Sequence, residues 1–193
     1  MAIRRELLLI LLLLLVIAVL VKLIEFFQVN IVEADASKFV SEDLRNKYPS
    51  ADISIMTITQ KTNDDGARYL EVKARVTQDP ESPCPERSHI FYNYPKQNFV
   101  PQQPEVITKN CVVCASGLCT IAFPEEAIIA SHTFPGTSDV QAYLNRNPNA
   151  QPSAVEKADS WEVTWVSDTA ISSYVVTIHR DGTILGIKQV PKA

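Results

Sequence analysis

Hydrophobic and polar positions alternate in three different ways along this chain. The first is an unbroken block. Fifteen consecutive apolar residues run from Leu7 to Val21, and the block resumes after Lys22 through Leu23, Ile24, Phe26 and Phe27. A helix over residues 7–27 would be about 31 Å long at roughly 1.5 Å per residue, matching the ~30 Å hydrocarbon core of a bilayer. The block therefore predicts a transmembrane helix over residues 7–27. Arg4 and Arg5 precede it, and the positive-inside tendency predicts residues 1–6 in the cytoplasm and the remainder outside it. The alternative is a cleaved signal peptide, with an Ala-x-Ala pattern at Ala34 and Ala36. That pattern lies about a dozen residues past Val21, too far for ordinary cleavage.

The second kind of alternation is helical. Ala36, Phe39, Val40, Leu44 and Tyr48 share one face, with Lys38, Glu42, Asp43 and Arg45 opposite. Asp35 or Ser37 is placed to cap this helix, and Pro49 ends it. A second helical stretch opens at Phe123-Pro124-Glu125-Glu126, where proline suits the first turn and the acids favour the positive end of the dipole. Ala127, Ile128, Ser131 and Phe134 form its expected buried stripe. Ser138 and Gln141 make a capping-box pattern before a short helix with Val140, Tyr143 and Leu144 inward, ended by Pro148 and Pro152.

The third kind has a period of two. Leu70, Val72, Ala74 and Val76 alternate with Glu71, Lys73, Arg75 and Thr77, which reads as a half-buried strand. Ile53 to Thr59 is β-rich with apolar groups on both faces, and Asn63-Asp64-Asp65-Gly66 is a turn. Ser88 to Tyr94 reads as another strand, and Pro95 to Pro104 as an extended loop or edge. Near the C-terminus Trp161, Val163 and Trp165 share one face, as do Tyr174, Val176 and Ile178. Asp181-Gly182 predicts a two-residue hairpin into Ile184 to Val190. The expected fold class is α+β: an N-terminal transmembrane helix, then two exported units, residues 28–122 and 123–193. Each unit is a helix followed by an antiparallel sheet.

The second unit resembles the PepSY domain. The likeness rests on Phe123-Pro124-Glu125-Glu126-Ala127-Ile128 opening a helix, the strand Trp161-Glu162-Val163-Thr164-Trp165, and Tyr174 to Ile187 around the Asp181-Gly182-Thr183-Ile184 turn. The tandem plan behind an N-terminal apolar segment also looks like small cell-envelope proteins with two cystatin-like units. Such a resemblance implies a binding or regulatory module, some of its kind being proposed to restrain peptidases, and no enzyme.

Charge and chemistry narrow this further. The chain carries 18 basic and 22 acidic side chains with no basic stripe, so nucleic acid is not the expected partner. A protein or peptide is expected instead, with the bilayer as the partner of residues 7–27. No Asn-x-Ser/Thr acceptor occurs. Four cysteines, Cys84, Cys111, Cys114 and Cys119, read outside the cytoplasm as two disulfides with three possible pairings. The alternatives are one structural zinc on the four thiolates and a redox pair of Cys111 with Cys114. His89 follows Cys84 closely enough to replace a thiolate in a metal site, although a strand-surface role is the plainer reading; His132 and His179 lie on other elements. Tyr92, Tyr94 and Phe99 form an aromatic cluster among prolines, the candidate contact surface. No catalytic residues and no cofactor are expected. The function read from the sequence is that of a single-pass, membrane-anchored extracytoplasmic binding or regulatory protein, or a subunit of a surface assembly.

Overall fold

A computed structural model describes residues 12–20, 32–95, 102–114 and 119–192. Met1–Val32 and Glu33–Ala193 are separate compact units. In the first, residues 12–20 form a helix, α1.

The expected transmembrane helix is corrected here. No helix among the described residues is long and apolar enough to cross a membrane. Residues 7–11 and 21–27 lie outside the described residues. The expectation took residues 7–27 as one continuous helix, and spanning requires about 20 such residues so that every backbone polar group is satisfied. The single-pass placement derived from it falls with it.

The unit Glu33–Ala193, which holds both expected exported units together, begins with α2 (Glu33–Lys47), followed by β1 (Asp52–Thr62), β2 (Arg68–Gln78), β3 (Glu86–Tyr94) and β4 (Glu105–Thr108). These strands pair in chain order as one antiparallel sheet. Ala36, Val40 and Leu44, four residues apart on α2, are buried, as are Leu70, Val72, Ala74 and Val76 on the face of β2 beneath it. Glu33 and Asp35 in the first turn and Arg45 and Lys47 in the last oppose the ends of the helix dipole. β1 carries a bulge. Ile55 pairs with Ala74, Thr57 with Lys73, and Met56 is the extra residue. Because one inserted residue reverses the alternation, Ile53, Ile55 and Ile58 all lie on the α2 side, opposite Val76, Ala74 and Val72. The apolar groups expected on both faces of this strand are thereby gathered onto one.

The chain continues through α3 (Pro124–Thr133), α4 (Ser138–Arg146), β5 (Gln151–Glu156), β6 (Ser160–Val166), β7 (Ser172–His179) and β8 (Ile184–Pro191). β5 to β8 form a second four-stranded antiparallel sheet, again in chain order. Its core joins Ile121, Ala127, Ile128, Ala130, Val140 and Tyr143 to Trp161, Val163, Trp165, Val176 and Ile178. Both indoles are buried and satisfied: Trp161 Nε1 donates to the Ile121 carbonyl at 2.9 Å, and Trp165 Nε1 to Ser131 Oγ at 2.9 Å. β4 and β5 are strands the period-two pattern did not single out. β5 holds Pro152, which an edge strand tolerates because one side of its backbone needs no partner.

Two local expectations shift. The β7–β8 turn has three residues, Arg180-Asp181-Gly182, closed by the His179 N–H donating to the Thr183 carbonyl at 2.8 Å. Gly182 has φ +88°, the left-handed conformation that a three-residue hairpin places at its last position. At the start of α4 no capping box forms around Ser138. Thr137 is the cap residue, and its hydroxyl donates instead to the Phe134 carbonyl at 2.7 Å. Half of such a box occurs at α3, where the Glu126 carboxylate accepts from the backbone N–H groups of Ala122 and Phe123 at 2.7 and 2.9 Å while the Phe123 side chain offers no acceptor in return.

The helix that positions everything else is α3. Glu125, Ala127, Ile128, Ile129, Ala130, Ser131 and His132 are all buried. A surface helix has one dry stripe; one buried all round lies between two layers. Ala127, Ile128 and Ala130 belong to the core of the second sheet. Glu125, Ile129 and His132 recur at i, i+4 and i+7, and this side reaches the first sheet and its disulfide.

Candidate functional site

The first-sheet side of α3 collects the polar chemistry of the unit. At its start, Glu125 accepts a hydrogen bond from the Thr77 hydroxyl at 2.7 Å and a charged one from Arg87 Nη1 at 2.8 Å. Arg87 and Glu125 are both buried, and the guanidinium also stacks on Phe123, 3.6 Å from the ring centroid. Register explains why these groups meet. Thr77 and Arg87 are cross-strand partners on the face of the sheet away from α2, and Pro124 begins the helix that covers this end. Burial alone would raise the Glu125 pKa, but the hydrogen bonds from Thr77 and Arg87 outweigh it and hold the carboxyl below its ordinary range.

His89 extends this network. It is buried, its Nδ1 lies 3.0 Å from Glu105 Oε2, and its Nε2 lies 3.2 Å from Arg87 Nε. A guanidinium only donates, so Nε2 is the acceptor and Nδ1 carries the proton to Glu105. Burial is the main cause lowering the His89 pKa, with the positive charges of Lys73 and Arg87 in the same direction and Glu105 opposing. This yields a pH dependence of definite sign. The unfolded histidine titrates near 6.5 and the folded one lower, so the unfolded chain binds more protons in the interval between. Stability should be complete above pH ~6.5 and decline as pH falls through that interval. His132, also lowered by burial, acts in the same direction. Thermal unfolding from pH 8 to 5 should show this loss, and His89→Gln should flatten it. An unchanged pH profile in that variant would remove His89 from the explanation.

Further along α3 lies the cysteine cluster. Cys84 pairs with Cys111, Cα atoms 4.8 Å apart, and Cys114 with Cys119, 4.9 Å apart. No free cysteine remains among the described residues. The Cys111–Cys114 redox pair is therefore not formed, and the sulfurs are joined as disulfides rather than arranged as four thiolates around zinc. Cys84–Cys111 spans 27 residues and closes the excursion carrying β3 and β4, worth about 3–4 kcal/mol on the chain-entropy account. Asn110, Cys111 and Cys114 all have positive φ, between 54° and 61°, so the backbone is turned sharply where the sulfurs must meet. Two disulfides with no spare thiol are the cysteine usage of an oxidising, extracytoplasmic compartment.

His132, which the sequence placed apart from the cysteines, lies against Cys111. Its Nδ1 is 3.0 Å from the Ile128 carbonyl, and its Nε2 is 3.7 Å from Cys111 Sγ. One ligand atom from each of Cys84, Cys111 and His132 lies within 4.8 Å of the others. His89, five residues after Cys84 in sequence, faces Arg87 and Glu105 instead. The available signal was α3 itself, whose residues are uncharged on nearly every side after its first turn and so mark it as buried on two faces.

Of the expected contact surface, the two tyrosines are half-buried beside α2. Tyr92 and Tyr94 pair with Val72 and Leu70 on the α2 side of the first sheet. The Tyr92 hydroxyl bonds Asp43, Lys47 Nζ lies 3.2 Å from it, and Tyr94 packs against Phe39 with ring centroids 5.6 Å apart. Phe99 lies outside the described residues. His179 is on a polar strand face, 2.9 Å from Asp181. Asp181, held also by the Thr183 N–H, has its pKa lowered to about 2.

A concavity of about 670 Å³ opens between the α3–α4 turn and the β7–β8 hairpin. Phe134, Ile184 and Ile187 supply apolar walls, while Asp139 and Thr183 add polar groups. The hairpin wall is pinned: a Cβ added to Gly182 would lie 2.8 Å from the Phe134 ring and 3.1 Å from Cys119 Sγ. The Cys114–Cys119 disulfide thus supports the turn that forms one side of the cleft.

Comparison with known proteins adds little to this geometry. No family model matches the chain, and no curated protein matches it. A solved structure of a candidate lipoprotein from Clostridium difficile 630 aligns over 78% of this chain and 90% of its own, at 10% identity and a TM-score of 0.22. Similarity that low carries no argument about fold or activity, so the candidate site stands on its own residues.

Proposed function

We propose that residues 33–192 form an extracytoplasmic binding or regulatory module that performs no catalysis and holds a protein or peptide partner in the cleft beside the β7–β8 hairpin. The observation that carries this reading is the cleft itself. Its volume of about 670 Å³ falls within the ~300–1,000 Å³ typical of ligand sites. Phe134, Ile184 and Ile187 suit an apolar side chain, and Asp139 suits a basic group beside it. The disulfide behind Gly182 holds one wall in place, which lowers the ordering cost of binding.

The non-catalytic part of the reading is supported by how the histidines are used. His89 joins Arg87 to Glu105, His132 bonds a backbone carbonyl, and His179 pairs with Asp181. The likeness to PepSY domains makes an envelope protein, peptidases included, the class of partner to seek. The test is in-cell crosslinking followed by identification of the captured chain, using the parent, Thr183→Trp and Asp139→Arg. Both positions are exposed, so melting temperatures should hold to within a few degrees. A partner captured by the parent and lost in both variants supports the cleft. Equal capture by all three proteins overturns it.

A further inference from the structure

We propose that Cys84, Cys111 and His132 form a redox-gated zinc site: when the Cys84–Cys111 disulfide is reduced, its two thiolates and His132 Nε2 bind one Zn²⁺. This goes beyond the binding reading above and uses the opposite end of α3 from its ion pair.

The first argument is the orientation of His132. Its Nδ1 sits 3.0 Å from the Ile128 carbonyl, an acceptor, so Nδ1 carries the ring proton and Nε2 presents a lone pair. That lone pair faces Cys111 Sγ at 3.7 Å. A disulfide sulfur has no hydrogen to donate. The contact therefore leaves a basic nitrogen on a residue only 8% exposed aimed at an atom that cannot bond it. An acceptor held in this way without a donor is unfavourable in the oxidised state, and a state that satisfies it is favoured by comparison. Reduction supplies that state.

The second argument is distance. With Zn–S near 2.3 Å and Zn–N near 2.05 Å, a tetrahedral centre separates sulfur from nitrogen by about 3.5 Å. The observed 3.7 Å between Cys111 Sγ and His132 Nε2 is already close to this. Cys84 Sγ belongs to the same group, all three donor atoms lying within 4.8 Å of one another. Opening the disulfide would let the sulfurs separate to about 3.7 Å, the corresponding tetrahedral edge.

The third argument concerns the surroundings. A zinc-bound histidine commonly donates its other N–H to a backbone carbonyl, which fixes the ring and its tautomer. The Ile128 carbonyl already does so. Coordination uses the neutral imidazole. Both cysteines are only half-buried, so an ion has a path in and water can fill a fourth position. Two thiolates and an imidazole suit zinc, and soft ligands of this kind disfavour magnesium and calcium.

The chemistry balances with an envelope protein dithiol as the reductant. That dithiol is oxidised to a disulfide, and the Cys84–Cys111 bond takes up the two electrons and two protons to become two thiols. Zn²⁺ then displaces both protons to solvent, leaving a centre of zero net charge: one dication, two thiolates and a neutral imidazole.

The test uses the full-length chain carrying Cys114→Ser and Cys119→Ser, so that only one disulfide remains. It is compared oxidised and after reduction with a phosphine, with Zn²⁺ titrated against a chromophoric chelator and Co²⁺ added as a spectroscopic probe. The expected result is one Zn²⁺ per reduced chain and none per oxidised chain, with thiolate-to-Co²⁺ absorption in the near ultraviolet. His132→Gln should weaken zinc at least about tenfold, the lower range even for outer-shell changes, while His89→Gln should leave it unchanged. No uptake by the reduced chain, equal uptake by the oxidised chain, or an unaltered affinity in His132→Gln would each overturn the proposal. If reduction unfolds the protein, refolding on addition of Zn²⁺, followed by circular dichroism, supports the site. A chain that stays unfolded with zinc present overturns it.

Discussion

Replacing Trp165 with alanine should destabilise the Glu33–Ala193 unit by about 3–5 kcal/mol, measured by chemical denaturation. The indole is fully buried at the centre of the second core and donates to Ser131 on α3 at 2.9 Å. Its ring also meets that of His132 edge to face, with centroids 5.5 Å apart. Truncation would leave a cavity beneath α3 and a serine hydroxyl without its donor. Trp165→Phe should cost distinctly less, because most of the volume remains. The effect should also spread to the first sheet, since α3 is packed on both sides. A loss below about 1 kcal/mol for the alanine variant, against the range for a buried tryptophan, would show that the core collapses around the gap.

Removing one member of the buried ion pair should have a comparable effect. Glu125→Ala leaves the Arg87 guanidinium, 3% exposed, beside Phe123 with its carboxylate partner gone. Stranding a buried charge in this way typically costs about 3–5 kcal/mol. Arg87→Ala strands Glu125 instead, though the Thr77 hydroxyl still donates to it. The informative construction is the pair: Arg87→Met with Glu125→Leu removes both charges and keeps most of the volume. It should recover most of the stability lost in either single variant, because the desolvation cost of both ions disappears together. If the double variant were as unstable as the sum of the singles, the pair would not be interacting across the junction, and the contact of α3 with Thr77 and Arg87 would need another cause.

The junction also shows how far local pattern can be read. Leu70, Val72, Ala74 and Val76 face α2 as the alternation implies. Thr77, on the polar face of the same strand, is 1% exposed because a helix 47 residues later in the chain covers that end. Nothing within β2 distinguishes Thr77 from Lys73 or Arg75. The bulge at Met56 is a similar case: an inserted residue is detectable only once the partner strand supplies the register. The cysteine pairing was open for the same reason. Four cysteines allow three connectivities, and the choice of Cys84 with Cys111 depends on where β3 and β4 bring them.

Read alone, the sequence determined the local elements: the burial of Ala36, Val40 and Leu44 on α2 (though not of Phe39, which is exposed), the alternation of β2, β6 and β7, the presence but not the length of the turn before β8, and the burial of both tryptophans. These follow from side-chain periodicity, which acts over a few residues and leaves its mark in composition. Only the tertiary structure decided that α3 is shared between two sheets, that Arg87 and Glu125 meet in the dry space between them, and that His132, not His89, lies against Cys111. Such contacts join residues 21 to 48 positions apart, and no local pattern encodes them. It likewise set aside the membrane span expected from the leucine block, since apolarity favours a bilayer but crossing it also requires an unbroken length of helix, and no described helix has both.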